Sequence, residues 1–134
     1  MTFKSCIMAI DDEPIILRTL ERALVAKDYQ VITVSDSSQA IPHLEKFRPD
    51  LILLDIMMPG LDGFQILNLI RKRCNAPVIM LTAKDQCDSK VSTLIIGADD
   101  YITKPFSIDV LVARIESKLR RTKGQVQWKI PPKE

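Results

Sequence analysis

The chain has 134 residues, 46% of them apolar and 27% charged, a composition that supports one globular core and argues against wholesale disorder. Nineteen basic residues stand against seventeen acidic ones, and the +2 excess lies entirely in residues 123–134, leaving residues 1–122 neutral. A neutral body lacks the basic face that non-specific nucleic-acid binding needs, and no apolar run approaches the about 20 residues of a membrane span.

In chain order, short apolar runs alternate with stretches of helical period. The runs at 5–10, 30–34, 50–54, 77–81 and 100–103 are strand candidates. The first, third and fourth are apolar on successive residues, as strands covered on both faces are. Pro14 suits the first turn of a helix whose Ile16, Leu17, Leu20 and Leu24 form one stripe. Helices are expected near 37–46, 62–73 and 87–96. The last helix carries Ile108, Leu111, Val112, Ile115 and Leu119, with Ser107 as its expected N-cap. A βα unit repeated five times predicts an α/β fold, a doubly wound five-stranded parallel sheet in a three-layer sandwich. Ligands of such sheets bind beyond the carboxyl ends of the strands.

Those ends are chemically distinctive. Strand one ends in Asp11-Asp12-Glu13, strand three in Asp55, strand four in Thr82-Ala83, and strand five is followed by Lys104-Pro105. Two carboxylates about 5 Å apart repel by roughly 3 kcal/mol at an effective dielectric of about 20, so a cluster of three favours a divalent cation. Oxygen donors and few protein ligands favour Mg²⁺, with Mn²⁺ as the alternative. A carboxylate nucleophile, a cation, a hydroxyl and an ammonium together suit phosphoryl transfer.

The stretches Asp11-Asp12-Glu13, LILLDIMMPGLDGF (51–64), VIMLTA (78–83) and GADDYITKPF (97–106) resemble the receiver domain of bacterial two-component response regulators, over about residues 5–122. The resemblance implies that Asp55 accepts a phosphoryl group from the phosphohistidine of a sensor histidine kinase. It implies Mg²⁺ held directly by Asp12, Asp55 and the backbone carbonyl of Met57, with Asp11 acting through water. Thr82 and Lys104 would grip the phosphoryl oxygens, Tyr101 would turn inward as Thr82 moves, and the Lys104–Pro105 peptide would be cis. The activity implied is self-phosphorylation and self-dephosphorylation alone.

Residues 97–121 most resemble the OmpR/PhoB subfamily, whose receivers dimerise through the last two helices and strand five and whose effectors bind DNA. By that resemblance Val91, Leu94 and Val112 form an apolar patch, with Asp100–Arg114 and Asp99–Arg121 as intersubunit pairs. Lys90 lacks its usual acidic partner, because Val110 stands there, with Asp109 adjacent. Ile95 and Ile96 are further departures. Residues 123–134 read as a linker or tail leading to an effector domain absent from this chain, through which any contact with DNA would run. A stand-alone relay protein is the alternative, and a Mg²⁺-dependent phosphatase is a more distant one.

The remaining signals are structural. Gly60 and Gly63 suit turn and helix entry, Asp62 suits an N-cap, and Arg71-Lys72-Arg73 reads as a solvated helix end. His43 reads as a surface or packing residue, and Trp128 is a lone aromatic in the tail. Cys6, Cys74 and Cys87 form no even set and no paired motif, which points to a reducing, cytoplasmic compartment.

Overall fold

The computed structural model describes residues 4–83, 97–122 and 125–129. Five parallel strands, β1 (Cys6–Ile10), β2 (Gln30–Val34), β3 (Leu51–Asp55), β4 (Val78–Ala83) and β5 (Asp100–Lys104), form one sheet in the order β2-β1-β3-β4-β5. Helices α1 (Pro14–Val25), α2 (Ala40–Phe47), α3 (Gly63–Arg71) and α4 (Ile108–Thr122) complete the described elements, with a 3₁₀ turn at Ser37–Gln39. The expected doubly wound architecture is therefore present. The helix expected at 87–96 lies outside the described residues, as do Lys90, Val91, Leu94 and Cys87.

The alternation of side chains along a strand explains the three layers. Ile7 and Ala9, Leu51 and Leu53, and Ile79 and Leu81 face the cluster built with Leu17, Leu20 and Leu24 of α1 and Leu111, Val112 and Ile115 of α4. Their neighbours Met8 and Ile10, Ile52 and Leu54, and Val78 and Met80 face the cluster built with Leu44 of α2 and Ile66, Leu67 and Ile70 of α3. The three central strands are thus covered on both faces, which is why they read as unbroken apolar runs. Edge strand β2 is half-buried over most of its length.

Two expectations about the surface change. Arg71 is bracketed rather than solvated: Nε donates to Gly97 O at 2.9 Å, Nη1 to Ala76 O at 2.6 Å and Nη2 to Asp99 Oδ2 at 2.8 Å. Its neighbour Arg73 pairs with Glu45 at 3.0 Å. The forked guanidinium reaches several acceptors at once where α3 ends beside the loop entering β5.

Trp128, without context in the sequence, also acquires one. Residues 127–129 fold back along the α3–β4 connection, where Trp128 forms an antiparallel bridge with Cys74. Lys129 N–H donates to Arg73 O at 2.7 Å, Gln127 N–H to Asn75 Oδ1 at 2.8 Å, and Asn75 N–H to Gln127 O at 3.2 Å. The Arg48 guanidinium lies 5.4 Å from the Trp128 ring centroid, and Val126 and Trp128 pack on the α2–α3 cluster. The chain therefore crosses from the α4 face to the opposite one.

Candidate functional site

Parallel register brings the chemistry to one end of the sheet. Ile10 pairs with Leu54, so Asp11 and Asp55 leave adjacent strands side by side; Asp55 pairs with Leu81, and Thr82 with Thr103. Asp11, Asp12, Asp55, Thr82 and Lys104 thus reach a common rim although they are scattered over 94 positions of the chain.

Asp11 is fully buried and Asp55 and Thr82 are nearly so, while Asp12 is half-buried. One ligand oxygen from each of Asp11, Asp12 and Asp55 lies within 4.8 Å of the others. Lys104 Nζ donates to Asp11 Oδ2 at 2.9 Å and to Glu13 Oε1 at 3.1 Å, and it stands 3.5 Å from Asp55 Oδ1. Asp11 Oδ1 accepts the Glu13 N–H at 2.9 Å, so both oxygens of Asp11 have protein partners. Asp55 Oδ1 accepts the Met57 N–H at 3.3 Å, and the Thr82 hydroxyl bonds Ala83 O at 3.3 Å. The Met57 side chain is 60% exposed at the mouth.

Burial pushes the Asp55 carboxyl up to about 7, and repulsion from Asp11 adds to it; Lys104 and the Met57 amide offset only part of this. For Lys104, burial works against the ammonium, but the hydrogen bonds and attraction of Asp11, Glu13 and Asp55 outweigh it and raise its pKa overall. Among the described residues the site thus holds more negative charge than the Lys104 ammonium balances. A hard divalent cation fits that surplus and the all-oxygen donor set.

The surrounding loops are held by short-range devices. Asp62 caps α3 as expected: its carboxylate accepts the Gln65 N–H at 2.9 Å while Gln65 Oε1 accepts the Asp62 N–H at 3.0 Å. Gly60 has φ +83°, the left-handed region that favours glycine. Ser37 is buried; its hydroxyl donates to Pro59 O at 3.0 Å and accepts the Leu61 N–H at 3.2 Å. The Lys104–Pro105 peptide is cis.

Two contributors escape a reading of the sequence alone. Glu13 is a direct partner of Lys104, and Ser37 braces the loop after Asp55. Only the position of Glu13 beside Asp12 offered a signal; nothing local marks Ser37. His43 is remote, bonding Gln39 O at 2.8 Å and stacking on Phe47.

The expected output face looks different within one chain. Asp100 Oδ1 pairs with Arg114 Nη1 at 2.8 Å, and Asp99 is engaged by Arg71 and the Val78 N–H, both at 2.8 Å. Val112 is buried in the α1–α4 cluster, where Leu111, Val112 and Ile115 form the inward stripe of α4, and its expected patch partners Val91 and Leu94 lie outside the described residues. Val110 is 47% exposed, and Arg121 is exposed. Tyr101 is half-buried against the α2–α3 cluster, with its carbonyl 3.2 Å from Arg114 Nη1.

Among the described residues no helix is long and apolar enough to cross a membrane. The family model of the response regulator receiver domain matches residues 7–116. NtrX from Brucella abortus, solved in complex with ADP, is 30% identical with a TM-score of 0.84; the match covers 90% of this chain and 28% of that one. The Francisella response regulator 1452 receiver domain is 34% identical with a TM-score of 0.82, over 89% of this chain and 99% of that one. Full-length FixJ from B. japonicum is 28% identical with a TM-score of 0.84, over 91% and 61% respectively. The chain thus corresponds to a minor part of NtrX and to nearly the whole of an isolated receiver. The matched residues include both halves of the acidic cluster and its lysine, and the chain belongs to the response regulator receiver domain family, whose members carry phosphorylation-dependent signals.

Proposed function

We propose that Asp55 is the phosphoryl acceptor and that the donor is the phosphohistidine of a sensor histidine kinase. The observation that carries this reading is a nearly buried carboxylate 3.5 Å from a lysine, beside two further acids. A carboxylate oxygen of Asp55 attacks phosphorus, the bond from phosphorus to the donor nitrogen breaks, and the electron pair stays on the imidazole. Asp12, Asp55 and the Met57 carbonyl would hold Mg²⁺, with Asp11 acting through water because Lys104 and the Glu13 amide already occupy its oxygens. When bound, the cation neutralises charge on the acids and the transferring group. Lys104 then turns an ammonium proton to a phosphoryl oxygen, and the Thr82 hydroxyl donates to another.

Movement of Thr82 would vacate space for Tyr101, one position before Ile102 on the neighbouring strand, and so bias the face of β5 and α4. Pairing of two copies there requires the Asp100–Arg114 contact to be exchanged between chains, with Asp99 leaving Arg71 if it is to meet Arg121. A DNA-binding effector of the OmpR/PhoB kind following the receiver is supported by the resemblance of residues 97–121. A stand-alone relay protein is the alternative.

Intact-mass analysis after incubation with acetyl phosphate and Mg²⁺ tests the acceptor. One phosphoryl adduct is expected on the wild type and none on Asp55→Asn. An adduct retained in that variant would remove Asp55 from the role. Light scattering with a beryllofluoride mimic tests pairing, which Arg114→Ala should weaken.

A further inference from the structure

Glu13 occupies the N-cap position of α1 with φ −92° and ψ 110°, yet its side chain makes no capping hydrogen bond. An oxygen at that position ordinarily satisfies one of the free amides of the first turn. Its carboxylate instead turns to Lys104, at 3.1 Å.

Among the described residues three carboxylates surround Lys104, and they are not equivalent. Asp11 is fully buried and held at both oxygens, so stranding it would leave a charge without solvent. Asp55 is the farthest, at 3.5 Å. The Glu13 side chain is 59% exposed, and water can solvate it as soon as it lets go. Lys104 itself is 15% exposed, and Glu13 is the most exposed of these three carboxylates.

We propose that Glu13 is a positioning residue, a placeholder carboxylate that holds Lys104 until a phosphoryl oxygen on Asp55 takes its place. The inference rests on Asp55 being the acceptor. An ammonium has three protons and no acceptor capacity. One is committed to Asp11 and one to Glu13, while the nitrogen stands 3.5 Å from Asp55 Oδ1; closing that distance onto a phosphoryl oxygen draws the ammonium inward and away from Glu13. The bond given up is the exposed one, so Glu13 opposes the phosphorylated state by the strength of that contact. Its removal leaves Lys104 tethered by Asp11 but free to turn.

The experiment measures phosphorylation by acetyl phosphate at saturating Mg²⁺, by intact mass, in wild type, Glu13→Gln, Lys104→Met and the double variant. Glu13→Gln is expected to accelerate uptake about two- to fivefold, the range of an exposed ion pair, and the gain should vanish when Lys104 is absent. An equal gain without Lys104 would mean that Glu13 merely repels the anionic donor, and an unchanged or slower rate in Glu13→Gln would equally overturn the role. If Lys104→Met takes up no phosphoryl group, the ¹⁵N ammonium resonance of Lys104 in the metal-free protein decides. It should broaden through faster exchange in Glu13→Gln and recover in part in Glu13→Asp; an unaltered resonance refutes the contact. A wild type without any adduct overturns the acceptor reading and the inference with it, a failure distinct from the others.

Discussion

Arg71 Nη2 lies 2.8 Å from Asp99 Oδ2, and the same carboxylate oxygen accepts the Val78 N–H at 2.8 Å. One ion pair therefore joins the last turn of α3, the first residue of β4 and the approach to β5. The carbonyls of Gly97 and Ala76 complete the bracket around the guanidinium. Arg71→Ala strands the Ala76 carbonyl and leaves the Asp99 carboxylate without its cation. A loss of about 1–3 kcal/mol is expected, read from urea unfolding. Arg71→Lys should recover less than half of it, because an ammonium cannot reach three divergent acceptors from one planar fork. Full recovery by lysine would reduce the bracket to a simple charge contact.

Gly63 opens α3 against the end of β3. A Cβ there would lie 2.6 Å from both the Asp55 carbonyl oxygen and Ile56 Cα, and backbone atoms cannot yield as a flexible side chain can. Gly63→Ala should cost about 1–3 kcal/mol as an overpacked contact and should slow phosphoryl uptake by displacing Asp55. Calorimetry beside the intact-mass assay checks both. A variant that is destabilised yet phosphorylated at the wild-type rate would separate packing from the site.

The Asp55 carboxyl, pushed by burial and by Asp11 from an ordinary 3.8 to about 7, makes metal-free stability fall as pH rises. Between those values the folded chain binds a proton that the unfolded chain has released, so the slope of unfolding free energy with pH is negative. The component is fully present below about pH 4 and is lost by about pH 7. At no more than about 1.4 kcal/mol per pH unit, it amounts to a few kcal/mol. Denaturant titrations of the metal-free protein across this window should show the decline, and Asp55→Asn should flatten it. Added Mg²⁺ should raise stability more at pH 7.5 than at pH 5, because protonation of Asp55 competes with the cation.

Trp128 is the only tryptophan, so selectively excited tryptophan emission reports the folded-back segment alone. Its ring is half-buried on the α2–α3 cluster under Arg48. Trp128→Ala should lower stability by about 1–2 kcal/mol. Arg48→Ala should shift the wild-type emission to the red at native conditions. An emission maximum already that of exposed tryptophan in the folded wild type would contradict the docking.

Cys6 has a thiol raised to about 11, by burial first and then by Asp50. At pH 8 almost none of it is thiolate, the reactive form. Cys6→Ala should therefore leave the iodoacetamide labelling rate of the native protein unchanged. A rate that drops in the variant would show Cys6 to be open and ionised.

Much of this is legible in the sequence itself. The runs at 5–10, 30–34, 50–54, 77–81 and 100–103 are all strands, with ends that differ by two residues at most, because a buried parallel strand leaves a local signature of successive apolar residues. The acids, threonine and lysine were legible because each terminates such a run. What escaped were contacts whose partners lie far apart. Glu13 and Lys104 are separated by 91 positions and Arg71 and Asp99 by 28, and local periodicity says nothing about such distances. Val112 carries two readings, one in the apolar stripe of the last helix and one, by resemblance, in a patch with Val91 and Leu94; the phase of α4 buries it with Leu111 and Ile115, and the rest of the patch lies outside the described residues.

The order of residue types along the chain determined a βα succession with carboxylates, a hydroxyl and an ammonium at strand ends, since the period of apolar residues selects element type and the breaks in it locate the rims. Only the tertiary structure decided which groups share a partner. Parallel register set Asp11 beside Asp55, the turn into α1 brought Glu13 rather than solvent to Lys104, and the return of residues 125–129 across the sheet gave Trp128 its place. These outcomes depend on where strands lie in space, and crossover connections make that order differ from the order of the sequence.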